Sequence, residues 1–102
     1  MNTIGTFKLE GDRYTGFINT LAFSGGASIE PVAAKRSGDS PDFRVTTERN
    51  RAEIGAAWKE RSEAGKTYLS VRLDDPSFPA PVYCRLFQFD GEEGYRLIWS
   101  RS

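Results

Sequence analysis

The residues best equipped for chemistry lie between positions 59 and 72. Tyr68 offers a ring on which a nucleobase can stack, and Lys59, Arg61, Lys66 and Arg72 supply cations for phosphates. Phe17 and Arg44 extend such a surface only if their strands are neighbours. An ordinary solvated sheet face crossed by a tyrosine has the same composition, so the residues alone leave both readings open. Phe78, in the stretch DDPSFPAP (74–81), is a further candidate contact. Three prolines make that stretch stiff and extended. Its aromatic either plugs an open end of the core or docks a protein partner.

Other chemistries lack their parts. The chain has no histidine, which removes the commonest acid–base group near neutral pH and any His-dependent metal site or triad. One cysteine, Cys84, builds neither a zinc cluster nor an intrachain disulfide. It sits in an apolar alternating stretch and reads as a small buried thiol in a reducing compartment. Asp74-Asp75 and Glu92-Glu93 are paired carboxylates, but neighbours on a strand point to opposite sides, and both pairs fall in expected turns. Gly25-Gly26 and Gly91/Gly94 are isolated and not followed by Lys-Ser/Thr, so no Walker-type phosphate-binding loop is expected. The expectation is a non-enzymatic protein with no catalytic residue, cofactor or metal.

A chain of 102 residues suits one hydrophobic core and a single domain over 1–102. Its 14 Lys and Arg balance 14 Asp and Glu, so no strong monopole attracts duplex DNA or anionic lipid. The charges are unevenly placed. Residues 44–72 carry seven cations against four glutamates, a net of +3, whereas residues 73–94 carry five carboxylates against Arg85, a net of −4. The amino-terminal residues have neither a basic start nor an apolar run, and no stretch approaches the about 18 apolar residues that cross a bilayer. The expected location is cytoplasmic, with no membrane partner.

The elements that must position these residues are strands. Phe7 and Leu9 alternate up to a turn at Gly11-Asp12, and Tyr14, Gly16 and Ile18 alternate away from it, pairing Leu9 with Tyr14 and turning Phe17 to the other side. Pro31 marks an edge strand or a strand end. In residues 53–73 a four-residue turn at Ser62–Gly65 pairs Trp58 with Leu69, Ala56 with Val71 and Ile54 with Leu73, an entirely apolar face. Lys59 and Tyr68 then share the opposite, polar face. A short helix at 48–60 is the competing reading, because Ala56, Ala57, Lys59 and Glu60 are good helix formers. Val82, Cys84 and Leu86 alternate with Tyr83, Arg85, Phe87 and Phe89. Tyr95, Leu97 and Trp99 follow a turn at 90–94 and tie the carboxyl-terminal end to the sheet. About seven short strands at this spacing predict an all-β domain, a small antiparallel barrel or a strongly twisted two-sheet arrangement. The expected core is Phe7, Leu9, Ile18, Ile54, Trp58, Leu69, Val71, Leu73, Leu86, Leu97 and Trp99.

The segments IGTF (4–7), YTG (14–16), PDFRV (41–45), EIGAAWK (53–59), YLSVRLDDPSFPAP (68–81) and GYRLIWSR (94–101) resemble the bacterial proteins grouped as domain-of-unknown-function family 736. The departures fall at Glu48–Arg51 and Leu21–Ser28. The resemblance implies a small bacterial domain, often encoded on plasmids and integrative elements, and carries no catalytic or binding residue across. The combined reading is a non-catalytic accessory or protein-interaction module that pairs with an unidentified protein or with itself through an exposed strand edge. The alternative is a single-stranded nucleic-acid-binding protein.

Overall fold

The computed structural model describes residues 2–20, 23–33 and 38–99. Eight strands follow one another: β1 (Asn2–Glu10), β2 (Arg13–Asn19), β3 (Ser24–Pro31), β4 (Phe43–Thr47), β5 (Glu53–Arg61), β6 (Thr67–Leu73), β7 (Val82–Phe87) and β8 (Tyr95–Trp99). Each is antiparallel to the next, and β8 returns to β1, so the sheet closes into an up-and-down barrel. The all-β expectation holds as a barrel, with eight strands in place of seven. Closure also corrects one expectation. Every described strand has two partners, so the barrel has no free strand edge through which copies of the chain could pair.

The first hairpin has the anticipated register, Leu9 opposite Tyr14. Pro31 ends β3 as its missing amide requires. The competing helix at 48–60 is absent, since β5 starts at Glu53. Leu21, Lys35, Arg101 and Ser102 lie outside the described residues, while Trp99 is held on β8 between Asn2 and Cys84.

The hairpin of β5 and β6 departs from expectation by one residue. Gly65 takes the positive φ of 83° that its turn needs. The pairs, however, are Gly55–Leu73, Ala57–Val71 and Lys59–Leu69, closed by residues 62–66. The cause lies on the far side of β5. There β4 pairs Val45 with Gly55 and then Thr46 with Glu53, which leaves Ile54 over as a bulge. Ile54 and Ala57 are therefore both buried, although strict alternation would put them on opposite sides. Ala57 faces the large ring of Phe43, where a second large side chain would overfill a narrow barrel. Trp58 is consequently expelled to the outer face, and Lys59 and Tyr68 no longer share a side. The expected core is corrected at two further positions. Leu9 lies near the end of β1 and is 46% exposed, while Trp99 is only partly buried against the core. The remaining core includes Ala27, Ile29, Phe43, Val45 and Cys84, which the expectation for the core omitted.

Two glycines let neighbouring strands approach where the barrel coils tightly. A Cβ on Gly16 would stand 2.7 Å from Phe7 Cα and press on the Thr6 carbonyl oxygen, and one on Gly55 would press on the Arg72 carbonyl oxygen. Gly16→Ala is expected to lower the free energy of unfolding by about 1–3 kcal/mol, the usual cost of overpacking. Gly38→Ala, with nothing within 4 Å of the added carbon, is the control and should change it by less than about 0.5 kcal/mol. Urea denaturation of the two variants beside the parent checks both values.

Candidate nucleic-acid interface

Buried Leu69, Val71, Cys84 and Leu86 send their sequence neighbours outward, so the outer surface of β4–β8 is a set of cross-strand rows. The first row is Arg44, Ala56, Arg72 and Tyr83. Trp58, Ser70, Arg85 and Ile98 form the second. The third is Glu60, Tyr68, Phe87 and Arg96, in which the Tyr68 and Phe87 rings stack with centroids 4.8 Å apart and planes inclined by 18°. Strand alternation thus brings six aromatic or aliphatic side chains and four arginines to one side of the barrel.

Within these rows the same step is repeated three times. The Arg72 guanidinium lies 5.5 Å from the centre of the Trp58 ring, that of Arg85 lies 5.6 Å from Tyr68, and that of Arg96 lies 5.0 Å from Phe89, two residues past the end of β7. Each arginine leans to the preceding strand and one row along. Arg72, Arg85 and Arg96 therefore form a diagonal file across β6, β7 and β8, and Trp58, Tyr68 and Phe89 form a second file beside it. A guanidinium lying over a ring keeps its N–H edge available to an oxyanion while the contact restrains the side chain. Among the described residues Arg44, Arg72 and Arg85 enter no ion pair, whereas Arg96 donates to both carboxylate oxygens of Glu92, at 3.0 and 2.5 Å. The indole N–H of Trp58 donates to the Asp39 carbonyl at 3.0 Å, which anchors the ring at the β5 margin.

Of the six residues singled out in the sequence, the structure brings Tyr68 and Arg72 together on this face. Lys59 lies on the other side of β5, with its Nζ 5.8 Å from the centre of the Phe43 ring. Arg61 ends β5, and Lys66 sits in the following turn, bonded to Asp90 at 2.5 Å. Phe78 packs against the core at the opposite end of the barrel, which is the plugging role. Phe17 is 50% exposed on β2, away from the rows. Arg44 does join the face. Trp58, Tyr83, Arg85, Phe87, Phe89 and Arg96 were not among the six, although the alternation of Tyr83, Arg85, Phe87 and Phe89 was the signal for most of them.

Three other ionisable groups are occupied or shielded. The Asp75 carboxylate accepts from the Ser77 hydroxyl and amide, and these bonds lower its pKa. Lys66 lowers that of Asp90 by a hydrogen bond and by its charge. Burial raises the Tyr14 phenol, with Tyr95 adding to the effect. Among the described residues no three metal-ligating side chains converge, and no helix is long and apolar enough to cross a membrane.

The fold and this surface define a small closed β-barrel that carries arginine and aromatic side chains in parallel files on its exterior. The chain belongs to the family described as protein of unknown function (DUF736), whose model matches residues 3–102. No curated protein and no solved structure matches it.

Cys84 is buried, and loss of solvation pushes its thiol up to about 12 from an ordinary value of 9.0. The folded state holds that proton more tightly than the unfolded chain, so this group's contribution to stability is complete below pH 9.0 and is lost as pH rises toward about 12. An aromatic disulfide reagent at pH 8 should leave the folded protein unlabelled and modify one thiol per chain in denaturant. Rapid labelling without denaturant would show that the β7 interior is open.

Proposed function

We propose that this protein is a non-catalytic binder of single-stranded nucleic acid in the bacterial cytoplasm, acting through the outer face of β5–β8. The observation that carries the reading is the threefold repeat of a guanidinium beside a ring. Rings offer stacking to any base, and arginines offer charge-assisted bonds to phosphates, which together are the two contacts that hold a strand without reading its sequence. The neutral chain as a whole fits a local rather than a global attraction. A duplex hides its base faces and meets only the cationic part of the surface, so the face favours unpaired strands. The lone thiol fits a reducing compartment. Association with mobile elements, expected from the family resemblance, would suit a protein that meets transient single strands.

A second reading, an accessory module that docks an acidic protein segment, is supported by Tyr83, which is 64% exposed at the end of the first row. Arginine and tyrosine are the residues that commonly anchor protein interfaces.

Fluorescence anisotropy with a labelled oligothymidylate at low salt separates the two. The nucleic-acid reading expects saturable binding that weakens as salt rises, with the matching duplex binding more weakly and poly-glutamate competing poorly. Arg72→Ala and Arg85→Ala should each weaken binding and reduce the steepness of the salt dependence by about 0.7. Absence of binding, or displacement of the strand by poly-glutamate at equal charge concentration, would overturn it, the latter in favour of an acidic protein partner.

A further inference from the structure

Resting on that reading, we infer that the ligand is a stretched single strand of about four nucleotides laid diagonally across β5–β8, its phosphates along Arg72, Arg85 and Arg96 and its bases along Trp58, Tyr68 and Phe89. The direction comes from the register. Arg72 on β6, Arg85 on β7 and Arg96 on β8 each advance one strand and one row, and their ring partners advance in the same sense. Diagonal neighbours in a sheet stand about 7–8 Å apart. That spacing is about twice the 3.4 Å rise of a stacked strand, so it suits phosphates only when the bases are pulled apart. Bases separated in this way need new stacking partners, and the second file places a ring beside each guanidinium. Tyr68 is stacked on Phe87, so a base at this position meets the stacked pair rather than a bare ring.

Glu92 limits the site at its β8 end. Its carboxylate occupies Arg96, so a strand takes the first two phosphate positions freely and the third only by displacing a carboxylate. Glu60, in the same row as Tyr68, closes the β5 margin to phosphate by repulsion. The path therefore runs between two acidic margins and is short.

The test is a length and salt series. Labelled oligothymidylates of about two, four, eight and twelve nucleotides are titrated with the full chain, and the number of barrels per strand is read by sedimentation. The expected result is a large gain in affinity between about two and four nucleotides, only the statistical gain beyond four, and at least two barrels on the longest strand. The logarithm of the binding constant should fall against that of salt with a slope of about −2, three phosphates at about 0.7 each. Glu92→Gln, which frees Arg96 without altering size, should tighten binding by about two- to five-fold. A loss of folding cannot imitate that gain. Affinity that keeps rising about tenfold from four to twelve nucleotides at one barrel per strand, or a Glu92→Gln variant that binds no more tightly, would overturn the diagonal path and leave single-strand binding standing. No binding to any strand would overturn both.

Discussion

The contact between Phe43 and Ala57 and the bulge at Ile54 beside it determine what the outer face of this barrel can be. An eight-stranded barrel has an interior just wide enough for side chains to fill, and Phe7, Phe43 and the branched aliphatics already occupy it. The cross-strand partner of Phe43 must therefore be small. Alanine at 57 satisfies that condition, and the bulge gives Ile54 a second inward position one residue out of phase. Ile54 and Ala57 go in and Trp58 goes out. The consequence extends through the pairing of β5 with β6, which sets Tyr68 beside Glu60 and Arg72 beside Ala56.

From that point the face is assembled by ordinary alternation. The strands β6 and β7 are regular, with leucine, valine and cysteine buried and tyrosine, serine, arginine and phenylalanine turned outward. The register of each pair converts the alternating sequences into a diagonal, because Arg72 lies opposite Tyr83, two residues before Arg85, and Arg85 lies opposite Ile98, two residues after Arg96. The arginines then meet ring faces rather than one another, which disperses their charge and keeps three guanidiniums close together on a chain whose total charge is zero. The closing pair of β1 and β8 completes the arrangement by joining the last strand of the platform to the first strand of the chain. Without that pair Arg96 would lie on a free edge.

Much of the fold is legible in the residues. Leu9 and Tyr14 flank a Gly-Asp turn, Pro31 stops a strand, and the alternation from Val82 to Phe87 separates inside from outside with little ambiguity. The register of β5 was not legible from its own hairpin. Pairing Trp58 with Leu69 gives an apolar face that satisfies every local rule, and what excludes it lies on β4, where Phe43 needs a small partner. A bulge leaves no local mark, since Ile54 suits a strand in either phase. The candidate surface was half legible for the same reason. Tyr68 and Arg72 belong to a regular strand, whose alternation alone puts them on the right side. The slipped register puts Lys59 on the wrong side, and a large indole such as Trp58 looks like core when its neighbours across the sheet are unknown.

The most direct test of this account is the surroundings of the Trp58 indole. In a Trp99→Phe background, Trp58 is the sole indole of the chain, and its fluorescence can be followed against iodide. A ring on the outer face beside Arg72 should be quenched by iodide and shielded once an oligothymidylate is added. Blue-shifted emission that iodide does not reach, with or without the strand, would put Trp58 in the core and contradict both the register of β5 and the surface built on it.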